Sequence, residues 1–454
     1  MSQPISARNA AAQTLMRIER DAAYSHVALD AILRRINLSA QDRGLATRIV
    51  YGTLAMQRRL DYELEYAIGG RVEERTEPFV CASLRAALYQ IRFLDRIPTH
   101  AVLDETVEEV KKQCGNRAGG FVNAVLRRLT RDVFDPAIVA DPIERFGLQY
   151  SLPDGLVRRS IERFGEEGAR QWAIAVNEPA PVTLRVNRSR ATVEAVVERL
   201  GGRPCQWAEF GVVVESLDST VRKAIHDGVC WVQDEGSQLI VEVGLEPAQA
   251  GVEPIRVWDM CAGQGGKTIQ LGDRFASVGV KAQITATDVH SGKLERLRAA
   301  WRKGFAGVGL ETLAIDASVG LSERRFDLVL LDAPCSGLGL VRRHPEMRWR
   351  YDPQAVLSLA KLQRELLDNA AAHIDEGGVL VYAVCTNTHE ETEAQIFGFL
   401  SRHPEFVLSP SARMRQITTK PWLELEPHTH GSDGFFTARF VRGPRAPLAQ
   451  PPKE

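Results

Sequence analysis

The stretch VWDMCAGQGGKT, residues 257–268, decides how the C-terminal half of this 454-residue chain is read. A strand-like apolar run breaks into glycines just before a helix. Gly263, Gly265 and Gly266 allow backbone conformations and close approaches that a Cβ would block. The loop is not G-x-G-x-x-G and lacks the phosphate-binding-loop spacing, which argues against a dinucleotide or a triphosphate. A Gly-rich turn after one strand is a weak signal alone, so its neighbours must add to it.

Working outward, strand-like runs recur as IRVWDM (255–260), QITATDV (283–289), LETLAIDA (310–317), FDLVLLDAP (326–334) and GGVLVYAVC (377–385). Between the last two, Leu359, Leu362, Leu366, Ala370 and Ile374 mark a helix. Near-continuous apolar strands alternating with helices predict a mostly parallel sheet covered on both faces, with ligands beyond the carboxyl ends of its strands. Those ends carry Asp288, suited to ribose hydroxyls, Asp316, suited to an adenine amino group, and Asp332. A single acid at a strand end is more often a helix cap. The set reads as a nucleoside cofactor, and without phosphate signatures S-adenosylmethionine is the best fit. The expected cofactor residues are Cys261, Ala262, Gly263, Gln264, Gly265, Gly266, Lys267, Asp288, Asp316 and Asp332.

Composition sets the frame. A hydrophobic fraction of 44% and a charged fraction of 25% are ordinary for a soluble globular protein long enough for two or three domains. No apolar run approaches a membrane span, and MSQPISARNAAAQ lacks a signal-peptide core, so a cytoplasmic protein is expected. Seven scattered cysteines with no C-x-x-C pair argue against a disulfide framework and a zinc ribbon. Cys81, Cys114, Cys205 and Cys230 are read as small buried apolar side chains. His428 and His430 in EPHTHGSD lack further ligands at suitable spacing and are read as a surface turn, with no metal expected. A net charge of −1 means that any nucleic-acid contact must come from local basic patches.

Residues 1–138 read as an all-helical domain. Leu45 and Ile49, then Ala46, Val50 and Leu54, recur at helical spacing, and Phe121, Val122, Val125, Leu126 and Leu129 form one stripe. Arg34, Arg35, Arg58, Arg59, Arg127 and Arg128 interleave with these stripes, either as a solvated face or as an RNA-facing one. Residues 139–248 read as a small α+β module with a strand at Val182 to Val186. Residues 249–442 form the Rossmann-like α/β domain, and 443–454 a disordered tail.

The motifs DMCAGQGGKT, DAPCSGLG followed by RRHPE, VYAVCT and DGFFTARF together resemble those of the RNA cytosine-C5 methyltransferases. SARNAAAQTLMRIERDAAYSHVALDAILRR and DRGLATRIVYGTLAMQRRLDYELE resemble the NusB-like domain of the bacterial branch that acts on 16S rRNA. The resemblance spans residues 5 to 442. Two departures stand out: the usual Cys-Ala-Ala-Pro-Gly-Gly-Lys loop lacks its proline here, and Val384-Cys385-Thr386 replaces Thr-Cys-Ser.

C5 of cytosine is too poor a nucleophile to take a methyl group from a sulfonium directly. A thiolate adding to C6 solves this, and such chemistry needs a cysteine of lowered pKa, an acid near N3 and a base for the C5 proton. An unstacked, single-stranded target suits it. Asp332 suits N3, with a carboxyl pKa raised by desolvation, and Lys267 suits either a thiol or the cofactor. Spacing alone does not say whether Cys335 or Cys385 attacks. The resemblance implies that Cys385 attacks and that Cys335 assists breakdown of the adduct. Arg342, Arg343, His344 and Arg348, with Arg350 and Trp349 among them, are expected to bind RNA. The expected partner is 16S rRNA, naked or partly assembled, and the expected state a monomer. Alternatives are a tRNA cytosine-C5 methyltransferase or a non-catalytic NusB-like RNA-binding factor.

Overall fold

From Ala7 to Ala175 the chain is mostly helical because its apolar positions repeat with helical period and helix ends are capped. Ser6 Oγ accepts the amide of Asn9, Ser39 Oγ that of Asp42, and Gly69 (φ +77°) closes Gln57–Ile68 in the left-handed region. The computed structural model describes residues 5–245, 254–302 and 304–443. The boundary expected at 248 and, apart from Gly443, the tail expected over 443–454 lie outside them. By its contacts the chain divides into two units, Met1–Glu178 with Val341–Tyr351, and Pro179–Leu340 with Asp352–Glu454.

In the first unit, Ile49, Leu60, Leu64, Leu84, Leu88 and Leu126 are fully buried. Val122, Val125, Leu126 and Leu129 point inward as the stripe requires, whereas Phe121 is left 36% exposed at its margin. Several of the interleaved arginines turn out to be pins. Arg59 pairs with Glu63 at 3.2 Å and Arg58 with Asp154 at 2.7 Å. Arg85, buried, bonds Asp61, Glu19 and Glu73, which offsets the cost of desolvating a guanidinium. Helices Pro142–Tyr150 and Asp154–Ala175 belong to this unit, so it extends past the boundary expected at 138.

In the second unit, β1 (Val182–Val186), β2 (Arg203–Pro204), β3 (Gly211–Val214) and β4 (Cys230–Val232) form an antiparallel sheet in the order β2-β3-β1-β4. Leu184, Val186, Val212, Val214 and Cys230 are buried in its core.

The larger sheet contains β5 (Ile255–Asp259), β6 (Ala282–Thr287), β7 (Val308–Leu313), β8 (Phe326–Asp332), β9 (Ile374–Val384), β10 (Phe406–Leu408), β11 (Leu423–Leu425) and β12 (Phe435–Arg442). Its order is β10-β12-β9-β8-β5-β6-β7, with β11 on β12. The five strands from β7 to β9 are parallel, and β12 runs antiparallel to β9. The helix expected before β9 spans Pro353–Ala372, and Ile374 instead opens the strand. From β5 the chain builds outward through β6 to β7, then returns to place β8 on the other side of β5. That reversal creates a crevice at the carboxyl ends of β5 and β8, where open α/β sheets hold ligands.

Candidate active site

The loop after β5 is shaped by positive φ angles at Gly263 (+58°) and Gly265 (+90°), and the helix Gly266–Ser277 starts directly behind it. A Cβ at Gly265 would lie 2.3 Å from Leu297 Cδ1, so glycine there is required by packing as well as by φ. A Cβ at Gly263 or Gly266 would meet nothing within 4 Å, which leaves one side of the loop open. The Gly263 amide donates to Asp288 Oδ2 (3.1 Å) and the Ala262 amide to the Thr287 carbonyl (2.9 Å), tying the loop to the end of β6. Asp288 also accepts the His290 amide at 2.8 Å. Asp316 is exposed, and bonds from the hydroxyl and amide of Ser318 hold its carboxyl below the usual range. Gln264 is exposed, and Cys261 is a half-buried thiol whose pKa burial pushes up.

An open glycine cradle with carboxylates at the next two strand ends fits an adenosine-bearing cofactor. Val289, 60% exposed right after Asp288, was not singled out from sequence.

At the crevice, Lys267 Nζ lies 2.5 Å from Asp332 Oδ2. Burial lowers the Lys267 pKa, but the charge and hydrogen bond of Asp332, then charge at Cys385 and Asp259, raise it further, and the ammonium persists. Asp332 thus has a cation as partner, an arrangement more specific than the lone desolvated carboxyl expected from sequence. Cys335 Sγ and Cys385 Sγ, fifty residues apart in sequence, stand 3.3 Å apart. The Cys335 thiol is pushed well above its ordinary pKa by its hydrogen bond to Cys385, by burial, and by charge at Cys385 and Glu391. The structure therefore brings together Lys267, Asp332, Cys335 and Cys385 in one cluster.

Sequence reasoning passed over two buried acids. Glu391 is fully buried beneath the cysteine loops, although HEE reads as an exposed helix start. Asp259, at the end of β5, is 1% exposed, with Thr268 Oγ1 donating to its Oδ2 at 2.6 Å. Burial pushes its pKa up to about 7, opposed by the Thr268 bond and reinforced by the charge of Asp332. The folded state thus holds a proton on Asp259 between roughly pH 4 and 7 that the unfolded chain releases, so this group's contribution to stability declines as pH rises through that window. Between pH 5 and 7 the wild type is expected to lose about 2 kcal/mol relative to Asp259→Asn in urea unfolding. A difference that stays constant with pH would mean that Asp259 is charged in the fold.

Within the arginine-rich segment after Cys335, Arg348 is a correction. Residues Val341–Tyr351 belong to the helical unit. Arg348 is fully buried, and its guanidinium bonds Asn177 Oδ1 (2.8 Å) and the carbonyls of Ala55, Ser151, Val176 and Val341. It has no face to offer RNA. Trp349 Nε1 donates to the Leu54 carbonyl at 2.7 Å and Arg350 to that of Ala23 at 2.7 Å. Arg342 lies against Glu178, and His344 is packed beside His26 (ring centroids 5.1 Å apart).

Comparison with known proteins agrees with this architecture. Family models match as 16S rRNA methyltransferase RsmB/F over residues 245–441, NusB family over 5–131, and the ferredoxin-like domain of RsmF/B-like methyltransferases over 152–216. The chain is 32% identical to the probable ribosomal RNA small subunit methyltransferase B of Bacillus subtilis, over 95% of this chain and 97% of that protein. It is also 32% identical to the ribosomal RNA small subunit methyltransferase B of Vibrio cholerae, over 88% and 89%. The crystal structure of PH0851 shares the fold, with a TM-score of 0.80 at 24% identity, covering 97% of this chain and 99% of that one. No described helix is long and apolar enough to cross a membrane. With an S-adenosylmethionine-type loop, a NusB-like helical domain and full-length relatives, the chain belongs to the RsmB/F family of RNA methyltransferases.

Proposed function

We propose that this protein methylates C5 of a cytosine in 16S rRNA through a covalent bond between Cys385 and C6 of the base. The observation that carries the reading is the cysteine pair, with sulfurs 3.3 Å apart, at a crevice that also holds Lys267, Asp332 and the open glycine loop. A methyltransferase acting on an already nucleophilic atom has no use for two thiols in contact.

In this reading Cys385 adds to C6 as the thiolate, with Lys267 as counter-charge; Cys385 is among the groups that keep Lys267 protonated. Asp332 meets N3, and its bond to Lys267 fixes its orientation. Gly263, Gly265 and Gly266 receive the cofactor, with Asp288 toward the ribose and Asp316 toward the adenine. S-adenosylmethionine, when bound, supplies the electrophilic methyl group that C5 takes. The C5 proton then passes to a base, its electron pair forms C5=C6, and Cys385 leaves as thiolate. Cys335, held protonated while Cys385 is charged, assists this last stage. Arg343 is proposed, with Arg342 and His344, as an RNA contact; Arg348 is not.

The substrate is tested by bisulfite sequencing of 16S rRNA and tRNA from a strain lacking the gene. One 16S cytosine is expected to lose its protection. Loss confined to tRNA would overturn the rRNA assignment.

A further inference from the structure

The two cysteines are held in place by different means. Cys385 follows an eleven-residue strand paired on both sides, with β8 and β12, and its carbonyl accepts the Gly339 amide at 3.0 Å. Cys335 sits on a loop just past β8, where the last ladder-like bond is from the Ala333 amide to the Ala383 carbonyl (2.9 Å). Beyond that point the loop is held by a Ser336 Oγ–Thr386 Oγ1 bond (2.8 Å), by the Gly339 amide on the Cys385 carbonyl, and most heavily by one side chain. Glu391 Oε1 accepts the Ser336 amide (2.8 Å) and Gln363 Nε2 (3.0 Å), while Oε2 accepts Ser336 Oγ (2.5 Å) and Thr388 Oγ1 (2.7 Å).

Four donors meet its two oxygens, and they offset the cost of burying the carboxyl group completely. The donors are themselves fixed. Gln363 Nε2 also holds the Pro334 carbonyl (2.8 Å), and the single proton of the Tyr382 hydroxyl is shared between the Glu391 carbonyl (2.7 Å) and Gln363 Oε1 (3.1 Å). Both residues beside Cys335, Pro334 and Ser336, are thus bound to the same buried network.

We propose that Glu391 is the positioning residue that holds the Cys335 thiol against Cys385, and so sets the step in which the covalent adduct is resolved. Cys385 is placed by the sheet without Glu391, whereas the residue after Cys335 takes two of its bonds from Glu391. The consequence for catalysis rests on the covalent reading above, whereas the positioning itself does not, and the test separates them.

The first measurement needs no RNA. Diamide takes two electrons and two protons from the Cys335 and Cys385 thiols, forming one disulfide and the corresponding hydrazine. The rate is followed by peptide mapping. Cross-linking is expected to be rapid in the wild type. A displacement of the order of 1 Å in Glu391→Ala is expected to slow it by about 10²-fold. Glu391→Gln, which keeps an acceptor for the Ser336 amide, should restore it to within about tenfold of wild type. The second measurement follows protein–RNA adducts with 16S rRNA and S-adenosylmethionine on denaturing gels. Glu391→Ala is expected to form the adduct and accumulate it, whereas the wild type turns it over.

Wild-type cross-linking rates in Glu391→Ala would overturn the proposal whatever the RNA shows. If the wild type forms no adduct and leaves the rRNA unmethylated, the covalent reading fails while the diamide comparison still judges Glu391. Should Glu391→Ala not fold, Ser336→Ala removes one arm of the network. Slower cross-linking in that variant supports the proposal, and an unchanged rate overturns it.

Discussion

Replacing Cys385 by alanine is expected to lower methyl transfer to 16S rRNA by about 10³-fold or more, the scale of removing a covalent nucleophile, and to eliminate protein–RNA adducts. Replacing Cys335 should instead leave adduct formation intact and cause the adduct to accumulate. The asymmetry follows from the roles proposed for two thiols in direct contact. Charge on one sulfur raises the pKa of the other, so the pair does not ionise together, and Cys335 keeps its proton while Cys385 attacks. Denaturing gels with both variants, run beside methyl incorporation, read the outcome. An adduct in Cys385→Ala and none in Cys335→Ala would reverse the assignment.

The second large effect is on stability. Arg348→Ala is expected to destabilise the helical unit by about 3–5 kcal/mol, measured as a lower urea midpoint. Among the described residues no carboxylate pairs with Arg348, and burial lowers its pKa to about 9. Its charge is tolerated because carbonyls and Asn177 take up the donors of its two terminal nitrogens, Nη1 and Nη2. Removing the side chain leaves those oxygens facing a cavity in a segment that also anchors Trp349. A change below about 1 kcal/mol would show that the segment relaxes onto other partners. The RNA role expected for Arg348 predicts the opposite pattern, with weaker RNA binding and unaltered stability.

These effects divide along the line between local and long-range information. The helical stripes, the glycine loop and the acid at each strand end were legible because they depend on spacing within a few residues: a helix repeats every 3.6 residues, and a buried parallel strand reads as an apolar run. Where the local pattern met its margin, as at Phe121 and Ile374, the reading ran one or two positions too far. Family resemblance, and not spacing, ordered the two cysteines.

The sequence by itself determined a helical domain, a small α+β module and a parallel α/β domain, and it nominated the crevice residues Lys267, Asp332, Cys335 and Cys385. Tertiary structure alone decided that the two thiols meet, that Asp259 and Glu391 are buried, and that Arg348 turns inward to the helical unit. The physical reason is common to all three. Solvent exclusion and contact between residues far apart in sequence are properties of the packed chain, and a carboxylate or guanidinium looks the same in a sequence whether it will face water or four buried hydrogen-bond partners.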